Sequence, residues 1–210
     1  MILIYNYRRD CLDHYFISKQ HKEDDYFQFD WNFFDENFTF KSCDDVFSKN
    51  NVDYGTYVLL KTILNCVDVN GEVLDIGCGY GPIGIVIDKF FKDVKITMID
   101  INQTAVELTK QNIIKNRCKN MRCVKVSNAY ENVDGKFDFI ISNPPIKAGK
   151  TVLLEILIGA FDRLNSDGKL IFVIKKKFGE DSVKKQLEKL FSLVEVLKRD
   201  SGYYVLMATK

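Results

Sequence analysis

The chain has 210 residues, 46% of them hydrophobic and 28% charged. That balance excludes a disordered or fibrous protein and allows one globular domain with a sizeable core. The formal net charge of +1 excludes a global field that would draw the chain onto nucleic acid, so any such contact must be a local patch.

Residues 1–70 read as an extension packed on the domain that follows. Phe27, Phe29, Trp31 and Phe33 alternate with polar residues, then come Asp35-Glu36-Asn37, Phe38 and Phe40. Alternation at period two predicts a β-hairpin. Its aromatic face suits either base stacking or the core, and the core is the expectation. Residues 52–67 predict a helix. His14 and His21, the only histidines, carry no catalytic assignment.

Residues 71–210 alternate strand and helix. The pattern predicts a strand over 72–76, a helix over 82–91, a strand over 95–100 and a helix over 103–116. Strands over 121–126 and 137–142, a helix over 151–164, a strand over 169–174 and a helix over 182–191 follow. Strands over 193–198 and 203–208 flank Asp200-Ser201-Gly202, a hairpin signal. The expected fold is an α/β, Rossmann-like sandwich. Its seven-stranded sheet is mostly parallel, with helices on both faces and an antiparallel hairpin at the carboxyl end. No linker or repeat divides the chain.

No apolar run is long enough to span a membrane, and Arg8-Arg9 follows Met1 too soon for a signal peptide. The six cysteines form no Cys-x-x-Cys pair and have no histidine at zinc spacing. Reduced thiols in a cytoplasmic protein without a metal are the expectation.

Asp75-Ile76-Gly77-Cys78-Gly79-Tyr80-Gly81 joins the first parallel strand to its helix. Glycines there let the backbone approach a ligand, and ligands of open α/β sheets sit at this edge. Two cofactor classes compete. Gly79-Tyr80-Gly81-Pro82-Ile83-Gly84 matches the dinucleotide fingerprint, with Asp100 at about the expected distance. That reading makes a nicotinamide-dependent oxidoreductase, but no acid/base residue for hydride transfer is evident. Asp75, two residues before the first glycine, repels a pyrophosphate and suits the ammonium of an amino acid. S-adenosylmethionine carries such an ammonium. Asp100, with Ile101 beside it, would then accept from both ribose hydroxyls, and Asn128-Ala129 would meet the adenine edge.

Asn143-Pro144-Pro145-Ile146 directly follows the apolar strand over 137–142. Two prolines stiffen the backbone and remove two N–H donors. The Asn143 side chain and the Pro144 carbonyl become a rigid pair of acceptors suited to a planar amine. The plainer alternative is a proline turn that only stops the strand. Lys147, Lys150, Lys175, Lys176 and Lys177 follow two strand ends and form a candidate basic rim for RNA phosphates.

Together, Asp75-Ile76-Gly77-Cys78-Gly79, Asp100 and Asn143-Pro144-Pro145-Ile146 resemble the class I S-adenosylmethionine-dependent methyltransferases. The chain is similar in particular to the short, single-domain members of the small-subunit ribosomal RNA guanine N2-methyltransferase (RsmC-like) group. Phe38-Thr39-Phe40, Val46-Phe47-Ser48, Asp53-Tyr54-Gly55-Thr56 in its Asp-x-Gly-Thr form, Asn143 through Lys150 and Gly202-Tyr203-Tyr204-Val205 extend the likeness. The chain departs from the group at Asn128-Ala129, where Asp-Leu is usual, at Cys43-Asp44-Asp45, at Lys175 and at Ile146. The resemblance implies methyl transfer to an exocyclic amine, guanine N2 of small-subunit ribosomal RNA. It implies S-adenosylmethionine as donor and S-adenosylhomocysteine as product. Ribosomal RNA or the small ribosomal subunit is the implied partner. Asn143, Pro144, Pro145 and Ile146 are the implied catalytic segment. Asp75, Gly77, Cys78, Gly79, Gly81, Asp100, Ile101, Asn128, Ala129 and Asn143 are the implied cofactor contacts. Protein glutamine methylation, with the same amide-aligning logic, is the alternative activity. A non-catalytic cofactor- or RNA-binding module is the alternative of another class.

Overall fold

The computed structural model describes residues 25–48, 50–145, 149–176 and 179–210. Among them nine strands and five helices follow one another. β1 (Tyr26–Phe33) and β2 (Glu36–Cys43) form the hairpin, and α1 (Tyr54–Cys66) leads into the sheet. Then come β3 (Gly71–Ile76), α2 (Pro82–Phe90), β4 (Val94–Asp100), α3 (Gln103–Lys115), β5 (Met121–Val126) and β6 (Phe137–Ser142). The chain closes with α4 (Lys150–Arg163), β7 (Leu164–Lys175), α5 (Glu180–Leu187), β8 (Leu193–Asp200) and β9 (Tyr203–Thr209).

The seven-stranded sheet has the order β5-β4-β3-β6-β7-β9-β8. β3 to β7 run parallel, and β9 is antiparallel to both β7 and β8. Both faces are covered, which is why its central strands read as continuous apolar runs. Val73, Met98, Ile141 and Val173 belong to one core with Leu59 and Ile63 of α1, Ile83 and Val86 of α2 and Leu108 of α3. Leu74, Ile99, Ile140 and Phe172 belong to a second core with Leu157 of α4 and Val183 of α5. Strand order reverses between β3 and β6, so a crevice opens at their carboxyl ends.

The dinucleotide-like spacing has a packing explanation. A Cβ on Gly84 would lie 2.6 to 3.1 Å from atoms of the buried Met98 side chain. Gly84 therefore lets α2 settle on β4.

The hairpin turns at Phe34-Asp35, one residue earlier than the polar triplet suggests. Both residues have positive φ, 50° and 62°, as a two-residue hairpin turn of right-handed twist requires. Register explains the choice. Trp31 opposes Phe38 and Phe29 opposes Phe40, which keeps the aromatics on one face, and a one-residue slip would reverse that face. The face is core: Phe33, Phe38 and Phe40 are buried, and Phe29 and Trp31 pack against them. Two asparagines of α3 dock this hairpin. Asn112 accepts from the Lys41 N–H (2.7 Å) and donates to the Lys41 carbonyl (2.9 Å). Asn116 does the same with Thr39, at 3.0 and 2.8 Å. The helix thus continues the strand ladder with side-chain amides, and Asn112 also donates to the Tyr80 carbonyl in the glycine turn.

Candidate active site

The carboxyl ends of β4, β3, β6 and β7 lie side by side, and the residues singled out in the sequence gather there. Ser142 at the end of β6 donates to the Ile76 carbonyl at the end of β3 (2.8 Å), a side-chain tie across the crevice.

The glycine turn is folded around its own amides. The Gly77 and Cys78 N–H groups both donate to the Ile99 carbonyl, at 2.9 Å each. The Gly79 N–H donates to Asp100 (2.8 Å), and the Gly81 N–H to the Cys78 carbonyl. Gly77, Gly79 and Gly81 all have positive φ, and open space surrounds the missing Cβ of Gly77 and of Gly79. The turn therefore offers an open surface but few free donors. A pyrophosphate would find its amides committed and a carboxylate beside them, which removes the physical basis of the dinucleotide reading. Cys78 is buried against Thr109, and burial pushes its thiol well up, so its side chain serves packing.

Asp75 is fully enclosed beneath the turn. One carboxylate oxygen accepts from the Gly84 N–H (3.0 Å), and the other has no protein donor. Burial, with the Asp100 charge adding to it, pushes its pKa up to about 7. Asp100 accepts from Gly79 and, at 2.9 Å, from the Asn102 N–H. Burial pushes its carboxyl up as well. Asn102 is the N-cap of α3 and accepts from Thr104, so capping does not need Asp100. Asn128 donates to Glu131 (2.9 Å), which leaves its amide oxygen as the group's acceptor. Ala129 follows at φ 43°, and its carbonyl accepts from Ser127.

Asp75 gives a pH signature. Below about pH 4 its carboxyl is protonated in both folded and unfolded chains. As the pH rises towards 7 the unfolded chain ionises while the folded one resists, so stability falls through that window and levels off above it. Urea unfolding at pH 5 and pH 8 is expected to show a loss of a few kcal/mol at most, and Asp75→Asn is expected to abolish that part of it. An unchanged pH dependence in the variant refutes the assignment.

Asn143 is held by residues far away in sequence. Its amide NH₂ donates to both Asp53 oxygens (3.1 and 3.3 Å) and to the Thr56 hydroxyl (2.9 Å). The Thr56 hydroxyl in turn donates to Asp53. Asp53 is the N-cap of α1 and also accepts from the Gly55 and Thr56 N–H groups. A carboxylate only accepts, so the Asn143 nitrogen must face Asp53 and its oxygen must face away. Asp53-Tyr54-Gly55-Thr56 is family-like in sequence, but nothing local in it marks the role that Asp53 and Thr56 take here. Pro144 is buried beside Asn143. Ile146, Lys147 and Lys177 lie outside the described residues.

A second missed feature is the segment before α1. The Asp45 carbonyl accepts from Asn102 at the end of β4, and the Asn51 carbonyl accepts from the Tyr80 hydroxyl. The chain thus crosses from β4 towards β6, carrying Phe47 at 64% exposure. Of the expected basic rim, Lys175 closes β7 with its ammonium 4.9 Å from the centre of the Tyr203 ring, and Lys176 is exposed. Lys150 is the first residue of α4. A cleft of about 640 Å³ lined by Lys92, Lys119 and Arg122 lies at the opposite, amino edge of β3 to β5, away from Asn143.

A family model described as methyltransferase small domain matches residues 37–207. The chain belongs to this family. The methyltransferase small domain spans the hairpin's second strand, the glycine turn and the Asn-Pro-Pro segment alike, and it places the chain among the class I S-adenosylmethionine-dependent methyltransferases. An uncharacterised protein YbxB of Bacillus subtilis (strain 168) is 38% identical over 200 residues, 94% of this chain and 98% of that protein. Ribosomal RNA small subunit methyltransferase C of Erwinia tasmaniensis is 32% identical over 176 residues, 82% of this chain and 49% of that protein. The structure of the T. thermophilus 16S rRNA N2 G1207 methyltransferase (RsmC), in complex with AdoMet and guanosine, superposes with a TM-score of 0.77 at 23% identity. That match covers 88% of this chain and 50% of that one, and it supports the fold. The chain thus spans about half the length of these last two proteins.

Proposed function

We propose that this chain transfers a methyl group from S-adenosylmethionine to an exocyclic amine, the N2 of a guanine in small-subunit ribosomal RNA. The observation that carries the reading is the Asn143 amide, turned by Asp53 and Thr56 so that its oxygen faces away from them. The names of the Erwinia and T. thermophilus proteins support ribosomal RNA as the substrate class.

The residues of the crevice fit the methyl donor. Asp75, with an unpaired buried oxygen and a raised pKa, gains from a nearby ammonium. The open surface of Gly77, Gly79 and Gly81, with Cys78 between them, admits a close backbone approach. Asp100 and Ile101 would meet the ribose, and Asn128-Ala129 the adenine. When bound, S-adenosylmethionine supplies an electrophilic methyl group on a sulfonium.

The chain's own residues supply orientation. The lone pair of a guanine amine is delocalised into the base, which makes it a poor nucleophile. Asn143 Oδ1 and the Pro144 carbonyl would each accept one of the two N–H bonds, directing the lone pair at the methyl group. Positioning of this kind is worth about 7–11 kcal/mol when the geometry is near attack. Two fixed acceptors also favour the positive charge that develops on nitrogen. No general base is needed, since the proton can leave to water after transfer. Lys175 and Lys176, with Lys147, Lys150 and Lys177 by sequence, would hold phosphates around the crevice.

The test is labelled-methyl transfer onto small ribosomal subunits and bare ribosomal RNA, followed by nucleoside mass analysis. N2-methylguanosine is expected. Label on a protein glutamine, with none on RNA, overturns the substrate.

A further inference from the structure

We propose that Tyr54, Tyr57 and Tyr203, together with Lys61 and Lys175, bind the single-stranded nucleotides that flank the methylated base. This rests on the RNA reading above, shares Lys175 with it, and adds an aromatic surface on α1 and β9 that reading does not contain.

The patch begins beside the amine cradle. Tyr54 directly follows Asp53, the residue that holds Asn143, and is 43% exposed. Its ring stacks on Tyr57 (5.8 Å between centroids) and meets Tyr203 edge-on (5.7 Å). Gly55 permits this closeness, because a Cβ there would lie 2.8 Å from the Tyr203 ring. Tyr203 opposes Lys175 in the β7–β9 ladder, and both stand at the strand edge that carries Asn143. Lys61 lies one turn beyond Tyr57 on α1, its ammonium 5.6 Å from that ring's centre. The patch thus runs from the end of β6 across α1 and the β8–β9 turn.

Its chemistry favours a polyanion with exposed bases. Lys61, Lys175, Lys176 and Lys198 surround it, and all but the partly buried Lys175 are exposed. The carboxylate among them, Asp200, accepts from the Tyr54 and Ser201 hydroxyls, and these bonds, then Lys198 and Lys61, hold its pKa below the usual range. Asp200 therefore acts as the tether that fixes the Tyr54 ring. Fixed aromatic faces among lysines bind single-stranded nucleic acid by stacking and phosphate contact, without reading sequence. A duplex offers no free base faces to such a patch, so the flanking strand must be unpaired. The arrangement also supplies an aromatic surface that the Asn143-Pro144-Pro145-Ile146 segment lacks.

The experiment measures binding of a fluorescent single-stranded RNA oligonucleotide containing guanine, at several salt concentrations. Calorimetry with S-adenosylhomocysteine on the same proteins reports whether the cofactor site is intact. Tyr54→Ala is expected to weaken RNA binding roughly tenfold, whereas Tyr54→Phe, which loses the Asp200 tether but keeps the ring against Tyr57 and Tyr203, should lose far less. Lys61→Ala and Lys175→Ala are each expected to lower the salt slope by about 0.7. All four should bind S-adenosylhomocysteine like the parent protein. If the parent methylates ribosomal RNA while Tyr54→Ala and both lysine variants bind RNA unchanged, the patch is overturned and the function stands. If the parent protein methylates no RNA, the function falls and the patch falls with it.

Discussion

Replacing Asn143 by alanine is expected to lower the rate of methyl transfer about 100- to 1,000-fold, the range found when one preorganised dipole is removed from a site of developing charge. The loss should appear in kcat measured at saturating cofactor and RNA. Two features make the effect large. The Asn143 amide is not free to be replaced by a neighbour, because the adjacent Pro144 and Pro145 have no N–H and a fixed φ. The β6 terminus is also locked to β3 by the Ser142 bond to the Ile76 carbonyl, so the backbone cannot shift to bring another acceptor in. Asn143→Asp tests the same point from the other side. A carboxylate there would face the Asp53 carboxylate across a distance now spanned by an N–H donor, and like charges at that range repel. It should therefore lose activity despite keeping two acceptor oxygens. An Asn143→Ala enzyme that works at close to the parent rate removes the amide from the mechanism.

The sheet was legible because its strands are buried on both faces and its turns carry unambiguous punctuation. Residues 121–126 and 137–142 were expected as strands and are β5 and β6. β7 starts at Leu164, five residues before the apolar run at 169, because Leu164 pairs with Phe137 of β6, while the polar Asn165-Ser166-Asp167 falls in an irregularity of the ladder before Lys169 meets Phe139. Period alone cannot show such a segment. The site divides in the same way. Asp75, Asp100 and Asn143 were visible because each lies at or beside the carboxyl end of a predicted strand, and their partners were not. Asp53 lies 90 residues from Asn143, and Asn112 lies 71 from Lys41. Both pairs are made by tertiary packing of α1 and α3, which leaves no local pattern. The turn amides are the instructive case. The sequence shows glycines, and only the structure shows that Ile99 and Asp100 already occupy their donors.

Asp53→Asn is expected to reduce methyl transfer about 100-fold while leaving the fold intact, and the reason lies in counting donors and acceptors. Asp53 presents Oδ1 to the helix, where it accepts from the Gly55 N–H (2.9 Å) and also from Asn143 (3.3 Å), and Oδ2 to the Thr56 hydroxyl and, more closely, to Asn143 (3.1 Å). Asparagine has a single acceptor oxygen. If that oxygen caps α1, its NH₂ faces Asn143, and Asn143 must rotate to offer its own oxygen inward. The crevice then receives an NH₂ group where the amine needs an acceptor, and two donors confront each other. If instead the new amide oxygen faces Asn143, its NH₂ points at the Gly55 and Thr56 N–H groups and α1 loses its cap, at a cost of about 1 kcal/mol. Asparagine and aspartate are otherwise equivalent N-caps, so the first arrangement should prevail and the melting temperature should change little. A structural role predicts the reverse: a shifted melting temperature with kcat preserved. Thr56 supplies the control. Thr56→Ser keeps the hydroxyl that relays between Asp53 and Asn143 and should keep the rate, whereas Thr56→Val removes it and should follow Asp53→Asn. Activity retained in Asp53→Asn and Thr56→Val together would show that the orientation of Asn143 does not govern the reaction.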